Sequence, residues 1–153
     1  MKAASAILYA LAAAVSAAPA SEPKPSENIE ISTLYVRKYV TGDSKRIDSV
    51  SFKLKGRDAD GLDCAVSNPD FPTPNKVTTC GESKYRFTLH PGTDGSEFSL
   101  RIYHELGTAV GFFGQGNAPL YCHAGGNGAG DYVCAQVAPL TIVINNDPPP
   151  VNP

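Results

Sequence analysis

The strongest constraint on this chain is that its apolar residues recur at every second position. In the run 46–56, Val50, Phe52 and Leu54 alternate with Ser49, Ser51, Lys53 and Lys55, and Tyr85, Phe87, Leu89 and then Phe98, Leu100, Ile102 repeat the pattern. Side chains two apart share a face only in a strand, so each run predicts a strand with one face buried. The segments 29–40 and 140–146, rich in β-branched and aromatic residues, read the same way. Turn signals stand between them: Thr41-Gly42-Asp43, the run 58–61, Asn68-Pro69, the run 91–95 and a glycine-rich run after Cys122. Helical periodicity is nearly absent. Short strands punctuated at intervals of roughly ten residues predict an all-β chain, folded as an antiparallel β-barrel or sandwich.

The ends read differently. Residues 1–20 carry Lys2, an alanine-rich apolar run over 3–15 and small residues up to Ala20, the layout of a secretory signal peptide. That apolar run is too short to span a bilayer. Small-x-small cleavage patterns end at Ala18 and Ala20, and the second is preferred because the first leaves Pro19 just past the cut. The segment 21–28, rich in proline, serine and charge, is expected to be mobile, and 29–145 to form a single barrel domain. The tail 146–153 is expected to be extended, because its prolines lack backbone donors. Without the leader about 130 residues remain, enough for one core. With 13 basic against 15 acidic residues and no block of like charge, a nucleic-acid-binding face is disfavoured. No later run reaches the roughly 18 apolar residues of a membrane span.

Four cysteines, Cys64, Cys80, Cys122 and Cys134, follow the leader. An oxidising compartment makes an even count read as disulfides, of which three pairings exist. Loop entropy alone favours the chain-local pairing, Cys64 with Cys80 and Cys122 with Cys134. Zinc would want closer pairs such as C-x-x-C.

No motif for catalysis or metal binding stands up. The run 121–134, YCHAGGNGAGDYVC, lacks the helix and the Gly-Lys-Ser/Thr ending of a phosphate loop and reads as a hairpin, with Asn127-Gly128 a favoured type I′ pair. His104-Glu105 begins like a metalloprotease helix, but the second histidine would fall on Thr108. The run from Asp58 to Gly61 fails as a calcium loop, since Gly56 and Ser67 occupy positions that need carboxylates. No G-x-S-x-G elbow occurs, and His90, His104 and His123 read as surface or hydrogen-bonded residues. No catalytic residue, metal ligand or cofactor is expected.

The run from Tyr121 through Cys134 to Ile144 closely resembles the C-terminal signature of the Alternaria alternata allergen 1 family, small secreted fungal allergens and elicitors. Leu62-Asp63-Cys64 and Cys80-Gly81-Glu82-Ser83 match in the right order. The resemblance implies an antiparallel β-barrel or sandwich with two intramolecular disulfides, which fall on Cys64–Cys80 and Cys122–Cys134. The family's Alternaria member joins two protomers through an extra cysteine near its mature N-terminus. The corresponding region here, 26–39, has none, so no covalent homodimer is expected. The resemblance further implies a secreted, extracellular effector that binds host extracellular proteins, such as thaumatin-like pathogenesis-related proteins or a surface receptor. Exposed loops would present the contacts, placing Asp43, Asp58, Asp60, Asp94 and Asn127 as candidates. A carrier of flavonoid-like compounds, using the barrel interior or a groove, is the alternative, and an unrecognised hydrolase the weaker one.

Overall fold

The computed structural model describes residues 22–147, and within them every regular element is a strand. The leader, 1–20, and the tail beyond 147 lie outside the described residues. The strands are β1 (Ser26–Thr41), β2 (Ser44–Gly56), β3 (Ala59–Ser67), β4 (Thr78–Thr79), β5 (Tyr85–Pro91), β6 (Phe98–Gly107), β7 (Val110–Asn117), β8 (Leu120–Ala124), β9 (Asp131–Gln136) and β10 (Leu140–Asn145). They pair in the order β3-β2-β1-β10-β7-β6-β5-β4, all antiparallel, with β9 and then β8 branching from β1. The Cys64–Cys80 disulfide ties β3 to the residue after β4, so the two edges of the sheet meet as a nearly closed barrel.

The alternating residues face inward as their spacing requires. Val50, Phe52, Leu54, Tyr85, Phe87, Leu89, Phe98, Leu100 and Ile102 are all buried. Phe52 meets Phe87 edge to face across the interior, with ring centroids 4.8 Å apart. Each such side chain contributes roughly 1.5–3 kcal/mol on burial.

Strand β1 is long because, with β2 along one edge, it serves two successive partners along the other. It pairs β10 from Ser26 to Ile31 and β9 from Tyr35 to Tyr39. A bulge intervenes, with Thr33 at φ 50°. The Gln136 side chain fills the gap in the ladder: its Oε1 accepts from Leu34 N at 3.0 Å and its Nε2 donates to Ile31 O at 2.9 Å.

Two expectations need correction. Residues 26–28 of the stretch expected to be mobile do not stay outside the domain, for β1 begins at Ser26 and Glu27 is buried. Composition favoured a loose end, but three hydrogen bonds to the Glu27 carboxylate draw this stretch into the barrel wall. The Asn127-Gly128 pair is not a type I′ turn, because Asn127 lies outside the left-handed region. Gly126, Gly128 and Gly130, at φ 93°, 101° and 89°, bend the loop instead.

Candidate functional site

The antiparallel path sorts the predicted loop residues onto two ends. Asp43 lies in the β1–β2 turn, Asn127 in the β8–β9 loop and Asp94 in the β5–β6 loop, all exposed. These loops touch: Tyr39 OH donates to Asn127 O at 2.6 Å, and Val40 N to Gly130 O at 2.8 Å. At the base of the same end, Glu97 takes Lys38 at 2.6 Å and Lys45 at 2.5 Å. Burial raises the Glu97 pKa, but the two ammonium groups outweigh it and hold the carboxyl below its ordinary range. Asp58 lies in the β2–β3 turn at the opposite end, whereas Asp60, expected in that loop, is already the second residue of β3, exposed beside it.

The glycine loop is built around an anion of its own. Asp131 accepts from Arg37 Nε at 3.0 Å, Arg37 Nη2 at 2.7 Å and Asn127 N at 3.0 Å. The guanidinium, with help from the backbone donor, holds the Asp131 carboxyl below its usual range. A Cβ on Gly125 would stand 2.3 Å from Asp131 Oδ2, so glycine is what lets loop and carboxylate meet. The Asn127 N–H that a phosphate loop would offer to a ligand is occupied from within the chain.

At the far end a buried polar cluster pins β1. Glu27 Oε1 accepts from Tyr85 OH at 2.6 Å and from Arg57 N at 2.7 Å, and His104 Nδ1 lies 2.6 Å from Oε2. The other ring nitrogen of His104 faces Asp58 Oδ2 at 3.2 Å, and the ring stacks on Tyr85 at 4.0 Å between centroids. Burial pushes the Glu27 carboxyl up, but the bonds from Tyr85, Arg57 and His104 more than offset this and lower its pKa. Burial and the neighbouring Glu27 raise the Tyr85 phenol. Gly56 makes the assembly possible, since a Cβ there would sit 2.7 Å from both Glu27 Oε1 and Tyr85 Oη. All of the cluster's carboxylate, phenol and imidazole atoms are engaged with one another, which suits a clasp rather than a site that must meet a substrate. The cluster was not legible in sequence, because the partners of Glu27 lie 30 to 77 positions away from it.

Glu97 also stands near the sulfurs of Cys122 and Cys134. Those sulfurs are bonded to each other and offer no thiolate, and Glu97 is held by two lysines, so the trio does not make a metal site.

What the structure leaves open to a partner is a strand face. Tyr35, Ala135 and Tyr121 stand in one row across β1, β9 and β8. The two rings are 50% and 67% exposed, and Val137, 66% exposed, follows just beyond β9. Arg37, fixed by Asp131, and Val133 form the next row. Alternation places these residues outward, but sequence could not tell an outer tyrosine from a core one until the strand partners were known.

The chain can be compared with known proteins on this basis. A family model described as Alternaria alternata allergen 1 matches residues 31–134. Effector protein PevD1 of Verticillium dahliae is 48% identical over 153 aligned residues, spanning 97% of this chain and 94% of its own. Major allergen Alt a 1 of Alternaria alternata is 29% identical, with 90% of each chain covered. A crystal structure of that allergen superposes with a TM-score of 0.57 at 26% identity, over 76% of this chain and 91% of the allergen. The disulfides Cys64–Cys80 and Cys122–Cys134, the absence of helix among the described residues and these matches agree, and the chain belongs to the Alternaria alternata allergen 1 family of fungal effectors and allergens.

Proposed function

We propose that this chain is a secreted effector that acts by binding a host extracellular protein through the outer face of β1, β9 and β8. The observation that carries the reading is the row Tyr35–Ala135–Tyr121, two exposed tyrosines on the strands flanking β9 with an alanine of β9 between them. Tyrosine brings a large, stiff contact area with a hydrogen-bonding tip, and tyrosine and arginine are enriched at interface centres. The face is held rigid from behind: the Cys122–Cys134 disulfide bridges β8 and β9, and Asp131 locks Arg37. Rigidity matters because every side chain that must be ordered on binding weakens it. The loops carrying Asp43 and Asn127 adjoin this face through Tyr39, and Asp58 and Asp60 lie at the far end.

Chemistry of another kind finds little footing. The barrel interior is filled by its own apolar side chains, and the Glu27–His104 cluster is buried. The relatives carry names of effectors and allergens. The test is capture from host extracellular fluid with the protein immobilised, comparing the native chain with the Tyr35→Ala/Tyr121→Ala double variant. The native chain is expected to retain a host protein of the thaumatin-like or receptor class that the variant loses. Equal recovery by both would defeat the reading.

A further inference from the structure

A second open feature lies elsewhere on the barrel, on the outer faces of β5, β6, β7 and β10: a groove of about 620 Å³. We propose that this groove binds an acidic oligosaccharide, with the Arg101 guanidinium taking the carboxylate of a uronate unit. The argument starts from register. Thr88, Arg101 and Gln115 stand side by side across β5, β6 and β7, with His90, Ser99 and Asn117 in the adjoining row. Polar side chains that project from a sheet surface are usually left to water, but these are tied to one another. Gln115 Oε1 accepts from Arg101 Nε at 3.0 Å, while Gln115 Nε2 donates to Ser99 Oγ at 2.6 Å. Ser99 in turn donates to Pro91 O, and Asn117 is held through both ends of its amide by Thr93. Such a network fixes donors and acceptors before a ligand arrives, which removes part of the ordering cost of binding.

Arg101 gives the groove its sign. The guanidinium is partly buried, its Nε is committed to Gln115, and among the described residues no carboxylate pairs with it. The one acid of the lining, Asp147, is held by Lys24 at 2.5 Å. The imidazole of His90 shares the groove, and burial together with the nearby Arg101 charge lowers its pKa, so near neutral pH the ring adds hydrogen-bonding capacity rather than a second cation. A planar fork with two free nitrogens suits a carboxylate taken in bidentate fashion. The rest of the surface suits sugar: fixed amides of Gln115 and Asn117 for hydroxyls, and the apolar surfaces of Phe113 and Val143 for the C–H face of a ring. The volume falls within the range of small-molecule sites, about 300–1,000 Å³.

Isothermal titration of the purified protein with α-1,4-linked tetragalacturonate, with its methyl ester and with sodium sulfate tests the proposal. Saturable binding of the tetragalacturonate is expected, at least tenfold weaker for the ester and for Arg101→Gln. Arg101→Lys is expected to bind more weakly than the native chain, because an ammonium cannot form the paired contact, and it serves if Arg101→Gln does not fold. Absence of binding at millimolar concentration, or equal affinity for acid and ester, would overturn the site. So would sulfate matching the saccharide, which would mean a simple anion site. The Tyr35→Ala/Tyr121→Ala variant should bind the tetragalacturonate as the native chain does, so this result stands apart from capture of a host protein.

Discussion

Glu27 shows how much one side chain can decide. Its carboxylate satisfies Tyr85, the Arg57 N–H and His104 together, so removing it strands several buried polar groups at once. Glu27→Ala should cost roughly 3–5 kcal/mol, the penalty of breaking a buried charged network, measured by chemical denaturation. Glu27→Gln, which keeps shape and some hydrogen bonding, should cost less. A loss within error for Glu27→Ala would mean that the start of β1 is not pinned there. Nothing in the sequence near position 27 announced this role, because its partners come from three other parts of the chain.

Among the elements, the β8–β9 hairpin depends most on local detail. Among the described residues β8 pairs only with β9, and the Cys122–Cys134 bridge joins directly opposed residues. Replacing both cysteines with alanine should lower stability by roughly 2–5 kcal/mol and speed amide exchange over 120–124 before the rest of the barrel. Its loop separates two kinds of glycine requirement. Gly126, at φ 93°, has nothing within 4 Å of a built Cβ, so Gly126→Ala should meet only the backbone penalty, about 1–2 kcal/mol. Gly130, at φ 89°, would also drive its Cβ to 2.1 Å from Val40 O. Thermal unfolding should therefore find Gly130→Ala clearly the worse of the two, and equal midpoints would contradict the close approach to β1. Sequence made the loop and its strands legible through the glycines and the alternation around them. The loop departs from the type I′ turn that Asn127-Gly128 favours, because Asn127 is placed by its N–H to Asp131 rather than by its own preference.

At the scale of the molecule, charge pairing sets the response to acid. Glu27, Glu97 and Asp131 all have folded-state pKa values below their ordinary ones. Near pH 4 and below the unfolded chain therefore binds more protons, so their contribution is present above that range and lost as pH falls through the depressed folded values. His90, with its pKa also lowered, favours the neutral ring and contributes a smaller loss beginning below about pH 6.5. Denaturation midpoints should thus decline gently from pH 7 to 5 and steeply below 4, with a shallower acid limb in Glu27→Gln. A flat profile down to pH 3 would rule out the pairing as a source of stability. The same division between near and far runs through the whole protein. Alternation, turn residues and cysteine spacing are local, and by themselves they determined that the chain is an antiparallel β domain whose cysteines can close two short loops. Which strands are neighbours is set by closing the sheet on one core, and only that closure decided that β1 switches partners at Thr33, that Glu27 reaches His104, and that Tyr35 and Tyr121 stand together on an outer face. Contacts across such separations depend on register, and a strand's own sequence says which of its faces is apolar but not what it will lie beside.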